Sequence, residues 1–356
     1  MGWPDRRFAD LAEIEHPIVQ APMTGTCTPA LAAAVSNAGG LGSMGLAFKS
    51  HETRVREIAD LATRTNRGFN LNFFANRAAV EGAPPLEPAR AAVAPGFAAL
   101  GLGAVPADAP EPGDGFGAEE LALLLETRPK IATFHFGFPD AGAISALKDA
   151  GIRLGSTATT TAEAEAIEAA GLDFVIAQGF EAGGHRGAHA PTEADGGVGT
   201  LALGPQIADA VGLPVVAAGG IADGRGIAAA FALGACGVQL GTAFLRCPEA
   251  ATDAPRRARL AAARDTDTVV SPIVSGRANR IAVGPGLRKV AAAGVATLPF
   301  PSQYALSGPL REAGGEAYAA HQYGQAAALA RAVPAGELLE ALAAEARARM
   351  TWLGRA

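Results

Sequence analysis

Two rhythms alternate along most of this chain. Short runs, several of them almost wholly apolar and others interleaving small or polar residues, are bounded by glycine and polar residues and separated by longer stretches with apolar residues three and four positions apart. The short runs are Pro17–Met23, Gly39–Gly45, Phe69–Phe74, Lys130–His135, Arg153–Thr157, the run opening at Phe174, Pro214–Ala218 and Gly237–Gly241. Runs this brief and this apolar predict strands buried on both faces, as in parallel sheets. The stretches between them predict helices: Thr28-Pro29 as cap and first turn of a helix to Asn37, then His51 to Thr65, Glu119 to Glu126, Asp140 to Ala150, Thr161 to Ala170, Leu203 to Val211 and Gly224 to Leu233. Eight strand–helix alternations predict an α/β fold, a (β/α)8 TIM barrel. A doubly wound sheet is the alternative, but no GxGxxG with a later ribose-binding carboxylate follows an early strand.

The rhythm breaks twice. Residues 83–117 are rich in Pro and Gly and read as an excursion with helix near Pro88 to Leu100. Beyond Pro248 the alternation stops: Thr266 to Asn279 reads as irregular or extended, Ile281 to Leu298 is broken by glycine, and Pro299-Phe-Pro301 is a stiff connection. His321 to Ala332 and Gly336 to Met350 read as helices. The expected organisation is therefore a barrel over 1–248, a smaller cap over its C-terminal mouth at 249–320, and C-terminal helices at 321–356 returning to the barrel.

Composition narrows the class. The 356 residues are 49% hydrophobic and 18% charged, which excludes a disordered chain, and the net charge of −6 offers no footprint for nucleic acid. Gly226 to Leu245 is long and uncharged enough to mimic a membrane span, but its glycines suggest a helix followed by a buried strand. Cys27, Cys236 and Cys247 lack CxxC spacing, so neither a disulfide nor a metal site is expected. No signal peptide is read in the opening residues, and a soluble cytoplasmic protein is expected. Oligomeric state stays open, with a homodimer among the outcomes.

The chemistry concentrates where the sixth strand empties into Gln178-Gly-Phe-Glu-Ala-Gly-Gly-His-Arg-Gly187. Glycine lets a ligand approach the backbone, and His185 is the one ring in this loop that titrates near neutrality. A lone histidine is more often structural; the bare surroundings of this one favour a catalytic reading. Pairing it with His189 in a metal site would need a helix that Gly187 opposes. In a barrel, phosphate commonly binds the loops after the seventh and eighth strands, here Gly219-Gly220 and Gly241-Thr242. The helix starting near Gly224 is expected to aim its positive end at the same place. Glycines that merely let helices pack close are the competing explanation. Asn70 and Asn72 share one face of the third strand; inside a barrel they need partners, and Asn72, nearer the strand's end, could meet a ligand.

Taken together, Gln20-Ala-Pro-Met23, the Gly-His loop, Pro214-Val-Val-Ala-Ala-Gly-Gly-Ile-Ala-Asp223 and Leu233-Gly-Ala-Cys-Gly-Val-Gln-Leu-Gly-Thr242 resemble the motifs of the nitronate monooxygenases, FMN-dependent barrel enzymes. The resemblance implies that Asn72, Gln178, Gly183, Gly219, Gly220, Gln239, Leu240, Gly241 and Thr242 hold FMN, that Met23 lies against it, and that His185 is the catalytic base. Tyr323-Gly-Gln325 also resembles a family segment near the cofactor. Small-molecule nitronates and O2 are the implied substrates, with carbonyl compounds and nitrite as products. An NAD(P)H-dependent FMN reductase and a non-catalytic flavin-binding module are the alternatives.

Overall fold

The computed structural model describes residues 2–76, 85–108, 115–190 and 196–353. In chain order its first nine strands are β1 (Ile18–Gln20), β2 (Gly42–Gly45), β3 (Phe69–Phe74), β4 (Ile131–His135), β5 (Arg153–Ala158), β6 (Phe174–Gln178), β7 (Gly184–His185), β8 (Val215–Ala218) and β9 (Gly237–Leu240). All but β7 form one parallel sheet in the order β1-β9-β8-β6-β5-β4-β3-β2. A bridge from Val19 to Leu41 joins its two ends, with Gln20 N–H donating to Leu41 O at 3.0 Å. The sheet is thus a closed TIM barrel, and each of the eight expected strands takes part.

The helices form where the sequence caps them. Thr28 Oγ1 accepts Leu31 N–H and Asp140 accepts Ala143 N–H, each satisfying a donor that the first helical turn leaves unpaired. The outer faces of the strands and the inner faces of the helices share continuous apolar clusters, such as Leu71, Phe73, Phe134 and Leu154 with Leu61, Leu124, Ile144 and Ile167. The helix Ala335–Leu353 packs Leu338, Leu339 and Leu342 against this shell, beside the helices Pro29–Asn37 and Gly224–Ala232.

Inside the barrel an apolar cluster that includes Ile131, Phe174, Ile176 and Val216 is joined by a hydrogen-bonded polar set. Gln20 Oε1 accepts from Ser43 N–H at 2.9 Å, Asn70 Nδ2 donates to Ser43 Oγ at 3.1 Å, and Thr133 Oγ1 donates to Asn70 Oδ1 at 3.0 Å. Asn70 therefore has the partners that burial demands, and Asn72, on the same face of β3, shares Thr133 through its Nδ2.

After β9 the chain builds a second, smaller layer. β10 (Val269–Ser271), β11 (Asn279–Val283) and β12 (Ala320–His321) pair antiparallel, and β7 from the Gly-His loop adds to the same β11. The helix Leu86–Leu100 contributes Ala89, Val93 and Phe97 to one apolar cluster with Ile273, Ile281, Leu306 and Leu310. The excursion after β3 and the segment after β9 thus share a core; residues 83, 84 and 109–114 of the excursion lie outside the described residues.

One expectation is corrected. His321 to Ala332 is not a helix: Ala320-His321 is β12, followed by a single 3-10 turn at Ala327–Leu329. Tethers override the helical pattern here, since Gly324 N–H donates to Thr242 Oγ1 at 2.9 Å and Gln325 N–H to Glu181 O at 3.0 Å. Past the connection Pro299-Phe-Pro301, Ser302–Ala313 forms a helix that the sequence reading did not assign, with Pro309 inside it.

Candidate active site

A cavity of about 220 Å³ opens at the C-terminal ends of the barrel strands. Met23, Asn72, Gln178, Gly183, His185, Gly219, Gly220, Gln239, Gly241 and Thr242 all line it. Leu240 does not. Successive residues of a strand face opposite sides, so with Gln239 turned inward Leu240 packs outward beside Leu31, Ile227 and Leu339. Only its carbonyl reaches toward the mouth, accepting from Ala21 N–H at 2.9 Å.

One side of the cavity is backbone. Gly219 and Gly220 hold φ of +106° and +70°, a left-handed conformation that turns their N–H groups away from the sheet ladder. Gly183 and Gly324 allow two segments to cross: a Cβ on Gly183 would lie 2.4 Å from Gly324 N. Thr242 Oγ1 is oriented by accepting from Gly324 N–H, which leaves its own hydrogen to donate. The helix Gly224–Ala232 plays no part in this cradle, contrary to expectation. Its N-terminus is already occupied by carboxylates, with Asp223 accepting from Arg225 N–H and Gly226 N–H, and Glu345 accepting from Gly224 N–H at 3.2 Å.

Amide side chains project from the floor. Asn72 Nδ2 donates to Thr133 Oγ1 at 2.9 Å, and its Oδ1 makes no hydrogen bond among the described residues. Gln178 is fixed at both ends: Nε2 donates to His185 O, while Oε1 accepts from Gly187 N–H at 2.8 Å and from Arg186. Buried Arg186 also donates to Gln178 O and Gly179 O, so it holds the Gly-His loop rather than facing the cavity. Gln239 Oε1 is buried with no partner among the described residues.

The opposite side is aromatic. Phe48 stacks on Tyr304 with centroids 5.2 Å apart and planes 3° from parallel. Behind them the His185 ring meets Phe136 edge to face at 5.5 Å, Phe300 at 6.0 Å and Phe74 at 6.1 Å. His185 keeps some exposure, toward the cavity, yet its surroundings push its pKa down to about 3, chiefly by burial and then by the charges of His135 and Arg277. His135, whose Nε2 meets His185 O and whose Nδ1 meets Thr157 Oγ1, is likewise pushed to about 3 by burial. Both rings are neutral at neutral pH.

His185 Nε2 lies 2.8 Å from Ser275 Oγ. With the Ser275 hydroxyl hydrogen directed at Arg277 O, 3.3 Å away, Oγ accepts from Nε2–H and the imidazole lone pair resides on Nδ1, which has no partner among the described residues. His189 is turned to Thr157 O at 2.9 Å, so the two histidines of the loop serve different partners. The arrangement provides a neutral base in an apolar recess, facing a backbone cradle.

Sequence reasoning missed Arg256, Phe48, Tyr304 and His135, all of which line the cavity. Arg256 sits in a polar helix after the barrel, and the aromatic residues are scattered over more than two hundred positions; the one available signal was Tyr323-Gly-Gln325, whose neighbour Gln322 holds Arg256.

Comparison with known proteins agrees with this geometry. The family model described as nitronate monooxygenase matches residues 5–345. A nitronate monooxygenase of Pseudomonas aeruginosa is 44% identical over 353 residues, covering 96% of this chain and 99% of that protein. The crystal structure of nitroalkane oxidase from Streptomyces ansochromogenes superposes with a TM-score of 0.88 at 38% identity, covering 98% of this chain and 99% of that one. FabK from Thermotoga maritima is similar at 30% identity and a TM-score of 0.75, over 98% and 97% of the two chains.

Proposed function

Because the chain belongs to the nitronate monooxygenase family and is an oxidoreductase, we propose that it oxidises alkyl nitronates, and neutral nitroalkanes more slowly, with O2 to carbonyl compounds and nitrite, using FMN held at the barrel mouth. The observation that carries this reading is the pairing, in one cavity, of a glycine-lined backbone cradle with a desolvated histidine backed by aromatic rings.

The residues fit the cofactor. Gln239 lines the cavity, and its amide Oε1 is buried without a partner among the described residues, an unused acceptor that suits the N–H and hydroxyl donors of a flavin and its ribityl chain. Asn72 and Gln178 would meet the ring's polar edge, Met23 its face, and Gly183, Gly219, Gly220, Gly241 and Thr242 the phosphate end. Bound FMN would supply the electron acceptor and the reactivity toward oxygen.

The chain's own contribution is binding, orientation and proton control. A nitronate already lacks the α-proton, so it asks of the protein a neutral, water-poor pocket for its alkyl group and a fixed approach; Phe48, Phe74 and Tyr304 line that pocket. For a neutral nitroalkane, His185 Nδ1 would take the α-proton while Ser275 holds Nε2. The test is direct: purified protein loaded with FMN is given ethylnitronate or nitroethane in air, and oxygen uptake and nitrite are followed. Turnover of ethylnitronate supports the reading. No turnover, together with rapid anaerobic bleaching of the flavin by NADH or NADPH, would replace it with the reductase.

A further inference from the structure

Arg256 projects from the helix Ala254–Ala261 into the cavity wall. Its Nη1 donates to Thr26 Oγ1 at 3.0 Å and its Nη2 to Gln322 O at 2.7 Å, two neutral acceptors. Its Nε is buried with no partner, and it makes no ion pair among the described residues. Burial lowers its pKa and the charge of Asp253 partly opposes that, but a guanidinium remains charged at neutral pH. The adjacent Arg257 shows the contrast: it spends its donors on the carbonyls of Thr252, Arg246, Cys247 and Ala250 and does not line the cavity. Among the described residues the one carboxylate lining the cavity, that of Glu181, is taken by Thr200 N–H and Thr200 Oγ1. A largely buried cation that faces a cavity, with Asp253 nearby but no carboxylate in ion-pair contact among the described residues, is costly unless an anion joins it.

Its place in the mouth says which anion. Thr26 follows Met23 in the loop after β1, the neighbour of β9 in the barrel. Gln322 lies two residues before Gly324, whose N–H is bound to Thr242 Oγ1 at the end of β9. Arg256 and the Gly241-Thr242 turn thus line one cavity and are tethered to the same segment, Gln322 to Gly324. His185, by contrast, is paired with β11 and ringed by Phe74, Phe136 and Phe300, and none of those residues touches Arg256 through a hydrogen bond.

We propose that Arg256 is a phosphate-binding residue: its guanidinium pairs with the terminal phosphate monoester of the flavin and completes the cradle that the glycine loops begin. This rests on the FMN reading above. The glycine backbone supplies neutral donors, and Arg256 supplies the charge that distinguishes a phosphorylated flavin from its dephosphorylated form.

The test measures binding, without turnover. Apoprotein is titrated with FMN and separately with riboflavin, following flavin fluorescence, for the parent chain and for Arg256→Met and Arg256→Lys. The parent should prefer FMN. Arg256→Met should lose about 10–100-fold in FMN affinity, the range of a charge-assisted hydrogen bond, with riboflavin affinity unchanged. Arg256→Lys should recover part of the loss. If Arg256→Met does not fold, as judged by circular dichroism, Arg256→Gln replaces it, since Gln still carries a hydrogen-bond donor. Equal weakening of FMN and riboflavin, or an unchanged preference for FMN, overturns the assignment. A parent chain that binds neither flavin would bring down the cofactor reading itself, and this assignment with it.

Discussion

The role of His185 is the most exposed part of this account, and substitution by asparagine isolates it. His185→Asn keeps a polar side chain of similar reach but removes the base. A positioned general base commonly contributes on the order of 10²–10⁴ in rate, with efficiency falling as its basicity falls. Here the imidazole is held at a pKa of about 3 instead of 6.5. That difference amounts to at most ~5 kcal/mol of lost proton affinity at 1.36 kcal/mol per unit. The expected penalty with nitroethane therefore sits at the low end of the range, about 10² in kcat/KM. Ethylnitronate needs no proton removed, so its penalty should stay under about tenfold, reflecting lost orientation alone. Oxygen uptake and nitrite release, measured with nitroethane freshly dissolved and with ethylnitronate prepared in base, give both numbers on the same preparations. Equal losses on the two substrates would refute the base assignment and leave His185 as an orienting residue. The same burial makes a second demand. Because the ring is already neutral, kcat/KM for nitroethane should show no protonation step near pH 6.5; a step there would mean that the recess does not desolvate the ring.

Three further outcomes follow from the geometry. Gly220→Val should release FMN more readily than the parent, since valine strongly disfavours the φ of +70° and its Cβ would sit 3.3 Å from Glu181 Cβ; retention of FMN through dialysis equal to the parent's would place the phosphate elsewhere. Gly183→Ala should lower the urea midpoint and loosen the cofactor together, because its Cβ would fall 2.4 Å from Gly324 N and force the crossing segments apart at a cost of about 1–3 kcal/mol; an unchanged midpoint contradicts that crossing. Stability should decline as pH falls from about 6.5 toward 3, since His135 and His185 stay neutral in the folded protein down to about 3 while the unfolded chain takes up protons below 6.5; urea midpoints at pH 7.5 and pH 5 that coincide after Asp and Glu effects are matched in a His135→Asn, His185→Asn background would remove these rings as the cause.

The barrel was legible because its strands are buried on both faces and its helices carry their own caps: Phe174–Gln178 and Val215–Ala218 are apolar runs that glycine and polar residues delimit on each side. That Gly183, Gly219, Gly220 and Gly241 would come together was legible for a related reason, since all lie past the C-terminal ends of strands, and the four line one cavity. What failed needed information from distant parts of the chain. Leu240 was grouped with Gln239 by adjacency, although strand alternation sends the two to opposite faces. The segment from His321 has helical periodicity but is claimed by β11 on one side and by Thr242 and Glu181 on the other. Pro309 hid the helix Ser302–Ala313. The helix beginning at Gly224 has its N-terminus filled by Glu345, 121 residues later, which no local pattern announces.

The two sides of the cavity also bear on the choice between a nitronate oxidase and a pyridine-nucleotide reductase. A nicotinamide donor brings a pyrophosphate, which needs cations or free N–H groups beyond those that serve the flavin phosphate. The side of the mouth left for a second ligand is walled by Phe48, Phe74 and Tyr304, with Phe136 and Phe300 behind. Cations do approach this wall, but among the described residues each is already engaged. Arg277 lies 4.1 Å over Phe136 and donates to Ala188 O at 2.8 Å. Arg311 lies 4.2 Å over Tyr304 and donates to Ser307 Oγ and Tyr304 O. Freeing either guanidinium would forfeit a stacking contact and a hydrogen bond before any phosphate was gained. An alkyl chain asks for none of this: it buries apolar surface against rings that are already in place, and the stacked Phe48–Tyr304 pair, with Phe48 55% exposed, has room to shift around it. On the function proposed above, this aromatic side of the cavity suits a small apolar substrate better than a nicotinamide donor.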